Sequence, residues 1–166
     1  MKKILFTLIL AFTGMIGFSQ ADTTRAPYLK FPTYPPVKLL MTDSTTFFTR
    51  ESLDKKTPVM VMFFDPGCDH CKHETEDLVK NMDQLKDVQI VMTTYKPLTE
   101  IREFVSHYAL DKFSNIVVAQ DYGFFLPSFY NITYFPFLAF YNKKKELIDV
   151  FQGPMPMEKL VETIHK

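Results

Sequence analysis

A continuous apolar run between two turn signals constrains the fold more than any other feature of this sequence. The run VMVMFF covers residues 59–64; Pro58 precedes it, and Asp65, Pro66 and Gly67 follow it. Apolar residues without alternation are typical of a strand buried on both faces, and such strands belong to mostly parallel sheets covered by helices. The run therefore predicts the central strand of an α/β domain.

Helix and strand patterns alternate after this run. A helix is predicted from near Cys68 to about Leu85, a second buried strand over residues 88–93, a helix over 97–108 and a short strand over 115–119. Parallel strands need a crossover connection, which is usually a helix. This alternation therefore predicts parallel pairing in the first half of the sheet.

The two ends of the domain predict antiparallel pairing, because each contains strand patterns joined by short polar turns. The lysine-rich turn of residues 143–145 is expected in solvent. The predicted elements are a hairpin of residues 37–41 and 45–48, a helical turn at 50–53, a short helix at 122–130, a hairpin of 137–141 and 146–151, and a closing helix at 157–165.

The N-terminus has the pattern of a secretory signal peptide. Lys2 and Lys3 precede an almost unbroken apolar run over residues 4–16, and the small residues Gly17 and Ser19 then stand three back from and next to a possible cleavage point. The run is too short to span a bilayer comfortably. We therefore expect a signal peptide at residues 1–19, cleaved near Ser19, and export to the periplasm. The alternative is an uncleaved membrane anchor that leaves the protein facing the periplasm.

The mature chain is expected to hold one domain behind a short tether. Residues 20–36 contain four of the eleven prolines and predict an extended linker, which leaves residues 37–166 for the domain. That length suffices for one hydrophobic core. The net charge of the chain is zero, so nothing favours nucleic acid or an anionic membrane surface as a partner.

The only two cysteines, Cys68 and Cys71, lie in the sequence FFDPGCDHCKHE, directly after the central strand. A disulfide across so short a loop constrains the unfolded chain very little, so a structural role explains the pair poorly. Cys68 is expected at the start of a helix, where free N–H groups and the helix dipole stabilise a thiolate. Cys71 follows one turn later on the same face. This arrangement suits thiol–disulfide exchange, in which one thiolate attacks and the second thiol resolves the mixed disulfide.

A metal site is the alternative use of the same segment. His70 and His73 flank Cys71, and cysteine with histidine suits copper(I) or zinc. Side chains on one helical turn cannot all converge on one ion, and the sequence has no second cluster of cysteine or histidine. Binding or delivery of a thiophilic metal stays open as the alternative function.

A proline stands directly before the strand predicted at residues 137–141. Pro136, in TYFPFLAFY, is unfavourable there unless the chain needs it, and a cis peptide bond between Phe135 and Pro136 would account for it. With the C-x-x-C in a strand–helix context, this sequence resembles the thioredoxin-like superfamily over about residues 37–166. Within that superfamily it resembles the exported thiol–disulfide oxidoreductases of the TlpA and ResA kind, as found in Bacteroidetes-like bacteria.

The resemblance rests on TPVMVMFFDPGCDHCKHE and YFPFLAFYNKKKELIDVFQG. It implies a three-layer α/β/α sandwich with a central mixed sheet, extended here by an N-terminal hairpin. It implies that Cys68 attacks and Cys71 resolves, that Phe135 and a cis Pro136 hold the substrate peptide, and that Gly153 lies beside the site. It implies no metal and no other cofactor. The implied partners are protein thiols or disulfides and a second protein that donates or accepts electrons.

Three departures from the family pattern bear on the chemistry. Gly67 takes the place of a tryptophan found in many relatives, which opens the site. Met62 takes the place of the buried acid of thioredoxins, so the proton acceptor for Cys71 is unassigned. Between the cysteines, His70 is expected to stabilise the attacking thiolate and Asp69 to oppose it. Charge alone therefore does not fix the direction of the reaction.

The sequence thus predicts an α/β protein of the thioredoxin-like kind, exported and monomeric. Its expected function is exchange of the Cys68–Cys71 dithiol or disulfide with protein substrates, in the reductive direction. Nothing in the sequence names the substrate or the redox partner.

Overall fold

A seven-stranded sheet forms the centre of the structure, a computed structural model that describes residues 25–166. The predicted signal peptide lies outside the described residues and stays a prediction. The strands are β1 (Leu39–Met41), β2 (Phe47–Phe48), β3 (Val59–Phe63), β4 (Gln89–Thr94), β5 (Ile116–Gln120), β6 (Phe137–Tyr141) and β7 (Leu147–Gln152). The helices are α1 (Pro27–Lys30), α2 (Asp69–Lys80), α3 (Leu98–Tyr108), α4 (Phe125–Tyr130) and α5 (Met157–Ile164), with short 3-10 turns at Arg50–Ser52, Met82–Leu85 and Leu110–Lys112.

The sheet is mixed, with strand order β2-β1-β5-β4-β3-β6-β7. Strands β3, β4 and β5 are parallel, and β6 and β7 continue the sheet antiparallel beyond β3. The β1–β2 hairpin joins the opposite edge through antiparallel pairing of β1 with β5. The predicted α/β class, the parallel first half, the antiparallel ends and the N-terminal hairpin are all confirmed.

Strand β3 lies in the middle because its side chains are buried on both faces. Met60 and Met62 pack into a first core, which also takes buried side chains from α2, α3 and α5. Val59, Val61 and Phe63 pack into a second core, which α4 and the segment before β3 cover. Full burial of each large apolar side chain contributes roughly 1.5–3 kcal/mol. The two cores give the predicted three layers, with β3 fixed at the centre.

Residues 27–36 differ from the extended tether that their prolines predict. Tyr34 is buried in the second core, and its ring lies edge-on to Tyr141 with the ring centroids 5.4 Å apart. The N–H of Leu147 donates to the carbonyl of Pro32 at 2.8 Å, which ties this stretch to β7. The linker prediction is wrong here because aromatic residues between the prolines supply apolar surface that covers the sheet.

The lysine-rich turn also differs from expectation at one position. Lys143 and Lys144 are exposed, as predicted, but Lys145 is buried. Its Nζ donates to the backbone carbonyls of Asp54 at 2.5 Å and Thr57 at 2.6 Å. Burial lowers the pKa of Lys145. This lysine therefore fastens the β6–β7 turn to the segment that leads into β3.

Candidate active site

The two cysteines lie at the start of α2, directly beyond the carboxyl end of β3. Cys68 occupies the N-cap position of α2, and its N–H donates to the carbonyl of Asp65 at 3.0 Å. Both cysteines are free thiols; Cys68 is half-buried, whereas Cys71 is fully buried in the first core. Burial raises the pKa of the Cys71 thiol. Cys68 is thus the accessible sulfur, and Cys71 is a protected thiol one turn behind it.

The turn between β3 and α2 is held by the side chain of Asp65. Its Oδ1 accepts a hydrogen bond from the N–H of Gly67 at 2.8 Å, and its Oδ2 lies 3.2 Å from the Nζ of Lys96. Lys96 follows β4, the parallel neighbour of β3. The turn that carries Cys68 is therefore fixed by its own backbone and by a neighbouring strand.

The two residues between the cysteines, Asp69 and His70, are both exposed. The side chain of Asp69 is 84% exposed and forms an ion pair with the Nζ of Lys72 at 3.0 Å. The hydrogen bond from Lys72 lowers the pKa of the Asp69 carboxyl. Asp69 therefore stays ionised and carries its own counter-charge, and the tuning roles predicted for it and for His70 stay predictions.

Phe135 and Pro136 lie beside the turn that carries the cysteines. Phe63, the last residue of β3, pairs with Phe137, the first residue of β6, so the segment before β6 meets the carboxyl end of β3. The Phe135–Pro136 peptide bond is cis, and the carbonyl of Pro136 accepts a hydrogen bond from the N–H of Gly153 at 2.8 Å. The half-buried ring of Phe135 stacks on Phe63, with the ring centroids 5.9 Å apart.

Gln152, the last residue of β7, fixes the loop that leads to Pro136. Its Oε1 accepts hydrogen bonds from the N–H groups of Thr133 at 2.8 Å and Tyr134 at 3.0 Å. Tyr134 itself is 71% exposed beside this loop. No sequence signal singles out a glutamine at the end of a strand, so this positioning contact was not predicted.

A buried carboxyl, Glu74, lies one turn beyond Cys71 on the same face of α2. It is only 3% exposed; its Oε2 accepts a hydrogen bond from the N–H of Met155 at 3.0 Å. Its Oε1 has no hydrogen-bond partner among the described residues. Burial raises the pKa of Glu74 to about 7. Helical spacing places this position with Cys71 and Leu78 on the buried face, and that signal could have identified it.

An open groove of about 580 Å³ adjoins the site between α2 and α3. Gly67, which has no side chain to fill it, borders the groove next to Cys68. The groove has apolar, acidic and basic walls. Its lining consists of Pro66, Gly67, Lys72, Glu100, Glu103, Phe104, His107 and Tyr108.

The described residues show little that favours a metal site. Between residues 25 and 166, no group of three or more histidine, cysteine, aspartate or glutamate side chains is placed to hold a metal ion. The side chain of His73 is 75% exposed, and its Nδ1 lies 3.8 Å from a carboxylate oxygen of Glu76. None of the helices in this part of the chain is both long and apolar enough to cross a membrane.

Several solved structures have the same arrangement of strands and helices. A secreted disulfide oxidoreductase of Mycobacterium tuberculosis, homologous to DsbE of E. coli, matches with a TM-score of 0.65 and 20% identity over 78% of this chain and 95% of that chain. StoA from Bacillus subtilis matches with a TM-score of 0.58 and 20% identity over 78% of this chain and 97% of that chain. The exposed lipoprotein thioredoxin of Streptococcus pneumoniae matches with a TM-score of 0.60 and 18% identity over 77% of this chain and 96% of that chain.

No family model matches the chain, and no curated protein matches its sequence significantly. Identities of 18 to 20% with the solved structures show the fold and leave the activity to be argued from the site. The chain therefore has the thioredoxin-like fold that its sequence predicts.

Proposed function

We propose that this protein is an exported thiol–disulfide oxidoreductase that reduces disulfides of protein substrates. The observation that carries the proposal is the unequal exposure of two free thiols one helical turn apart. Cys68 is half-buried at the N-terminus of α2, and Cys71 is fully buried behind it. Exchange chemistry needs this inequality, because one sulfur must reach a partner while the other waits. The match with a solved structure named as a secreted disulfide oxidoreductase supports the proposal at the level of the fold.

The first step is attack of the Cys68 thiolate on one sulfur of the substrate disulfide. A bond forms between the Cys68 sulfur and that sulfur, the substrate S–S bond breaks, and the other substrate sulfur leaves as a thiolate that takes up a proton. In the second step the Cys71 thiol loses its proton, and its sulfur attacks the Cys68 sulfur. The second substrate thiolate is released. The substrate has then gained two electrons, and the protein holds a Cys68–Cys71 disulfide.

We propose Glu74 as the acceptor of the Cys71 proton. Side chains three positions apart share a helix face, and both residues are buried there. A carboxyl with a pKa of about 7 is half ionised at neutral pH, which suits a general base. Its Oε1 lacks a hydrogen-bond partner in the described chain and is available for the proton. Glu74 therefore fills the role that Met62 cannot.

The substrate peptide is held by the segment around Phe135 and Pro136. Pro136 has no N–H, and its carbonyl is bound by Gly153. The substrate peptide is therefore bound by the backbone just before Pro136, in the loop that Gln152 holds in place through Tyr134. Asp69 and His70 border the attacking sulfur from the exposed side. The reaction needs no metal or other cofactor, but a second redox protein must return the Cys68–Cys71 disulfide to the dithiol. We place both reactions outside the cytoplasm, where disulfide substrates persist, and we propose that the protein acts as a monomer.

Trapping of the mixed disulfide tests the proposal. A Cys71→Ser variant keeps the attacking sulfur but cannot resolve, so incubation with a disulfide-containing model protein such as insulin should give a covalent adduct that dithiothreitol removes. Cys68→Ser is the matched control, because it leaves only the buried thiol and should give no adduct. Adduct in the Cys68→Ser variant instead, or in neither, would contradict the assigned roles.

A further inference from the structure

The ion pair between Asp65 and Lys96 lies at the active-site end of the sheet. Asp65 follows β3 and Lys96 follows β4, and the parallel pairing of Phe63 with Thr93 brings the ends of these strands together. The side chain of Asp65 is 18% exposed and that of Lys96 is 29% exposed, which makes this the least exposed ion pair among residues 25–166. Exposed ion pairs contribute little, whereas partly buried ones are screened less by salt.

Asp65 is also part of the turn that carries the cysteines. Its Oδ1 accepts the N–H of Gly67, and its carbonyl accepts the N–H of Cys68. Burial is the main cause of the raised pKa of the Cys71 thiol; the Asp65 carboxylate also raises this pKa, whereas a hydrogen bond with the backbone of Asp65 lowers it. A negative charge thus lies within electrostatic reach of the redox pair, and its nearest cation is Lys96.

We propose that Lys96 is a positioning residue that neutralises Asp65 beside the cysteines and thereby sets how readily the Cys68–Cys71 disulfide is reduced. This inference rests on the proposed exchange function. A bare carboxylate disfavours a nearby thiolate, so it favours the disulfide; a cation does the reverse. In the ion pair, the charge of Lys96 offsets that of Asp65, and the pair also fixes the turn between β3 and α2.

The other charges near the site have partners of their own. Lys72 acts electrostatically on Cys68, but its ammonium is paired with Asp69 on α2. The Oε2 of Glu74 is bound by the backbone of Met155. Glu100, at the start of α3, adds a second negative charge that acts on Lys96. Loss of the lysine would therefore leave an excess of negative charge on the β4 side of the turn.

The test is the equilibrium between the Cys68–Cys71 disulfide and glutathione in three variants. Lys96→Met should favour the disulfide about tenfold, which lowers the reduction potential by about 30 mV for a two-electron couple. Asp65→Asn keeps the acceptor for Gly67 and should shift the potential in the opposite direction. Lys96→Arg restores the charge and should return the potential to that of the wild type. Lys86→Met is the control. It breaks an exposed ion pair, in which the Nζ of Lys86 lies 2.6 Å from the Oδ1 of Asp83, and this pair lies beyond the end of α2 that is opposite to the cysteines.

A second readout does not depend on exchange. In a Cys71→Ser background, alkylation of Cys68 by iodoacetamide should move to higher pH in Lys96→Met and to lower pH in Asp65→Asn. A purely structural pair would lower the melting temperature in both variants without these opposite shifts. Equal or absent shifts in both readouts would overturn the inference. If the wild-type couple fails to titrate at all, the proposed function fails, and the alkylation shifts still decide the role of Lys96.

Discussion

Two buried carboxylates, Glu74 and Asp121, differ in how completely their oxygens are bound. Asp121, which follows β5, is 1% exposed; its Oδ1 accepts the N–H of Phe125 at 3.1 Å, and its Oδ2 accepts the N–H of Leu126 at 2.8 Å. Glu74 is 3% exposed, but only its Oε2 is bound, by the N–H of Met155. A buried polar atom without a partner is costly, so the exception at Glu74 needs an explanation.

The two carboxylates lie on opposite faces of the sheet. Asp121 accepts hydrogen bonds from backbone N–H groups in the first turn of α4. This helix packs into the second core. Glu74 lies on α2, which packs into the first core one turn from Cys71. Because both of its carboxylate oxygens are hydrogen-bonded, Asp121 stabilises the fold. Partial satisfaction leaves Glu74 able to gain and lose a proton, which fits a role in exchange.

The largest effect expected from this difference is on how the free energy of unfolding changes with pH. The folded-state pKa of Glu74, about 7, is raised above its ordinary value of 4.5. The protonated form is therefore favoured by folding, and its contribution is complete below pH 4.5 and is lost as the pH rises through 7. We expect the free energy of unfolding of the reduced protein to fall by about 3 kcal/mol over this window. Urea denaturation at a series of pH values measures it.

The control for this prediction is a pair of amide variants on the same helix. Glu74→Gln cannot titrate and should remove the fall, while Glu76→Gln, at a half-exposed position, should retain it. The difference between wild type and Glu74→Gln cancels the titration of the histidines. If both variants followed the wild-type curve, Glu74 would not have the raised pKa on which its role depends.

The next effect is on the rate of resolution. Glu74→Gln keeps an oxygen for the N–H of Met155 but cannot accept a proton from Cys71, so we expect resolution of the mixed disulfide to slow about a hundredfold. Formation of the mixed disulfide, which needs only Cys68, should be unchanged. Rapid quenching with acid, followed by mass spectrometry of the adduct, separates the two steps. Equal slowing of both steps would indicate a structural defect instead.

A smaller effect is expected at the satisfied carboxylate. Asp121→Ala removes two hydrogen bonds from the start of α4, and we expect the free energy of unfolding to fall by about 2 kcal/mol. Exchange rates should not change, because α4 covers the other face of the sheet. Asp111→Ala, at an exposed position, is the matched control and should have almost no effect. If Asp121→Ala lost exchange activity without losing stability, the purely structural role given to Asp121 would be wrong.

Most of the fold could be predicted because its elements have strong local patterns. The run at 59–64 is apolar throughout, and β3 forms from it with every residue buried. The misses occur where distant partners decide the outcome. Tyr34 is buried because β6 lies beneath it, and Lys145 because its Nζ finds carbonyls of residues 54 and 57, far away in sequence. The amino acids next to Tyr34 and Lys145 in the sequence do not predict these long-range contacts.

Part of the candidate site could also be proposed from the sequence. The C-x-x-C spacing and the proline before β6 led to Cys68, Cys71 and Pro136, which the fold brings to the same end of the sheet, and their roles stay predictions. Glu74 was missed because a glutamate in the sequence HETED has the composition of a solvated face, although its helical position is buried. Gln152 and Lys96 each contact a residue from a distant segment of the chain, so no single segment of the sequence predicts these contacts.

Equilibration of the wild-type protein with glutathione redox buffers measures thiol–disulfide exchange at Cys68 and Cys71 itself. Acid quenching and alkylation of the remaining thiols report the fraction of protein in the dithiol form at each ratio. We predict one reversible two-electron transition between the dithiol and the Cys68–Cys71 disulfide, absent in Cys68→Ser. A pair that stays reduced or oxidised at every ratio, or that changes irreversibly, would contradict thiol–disulfide exchange as the function of this protein.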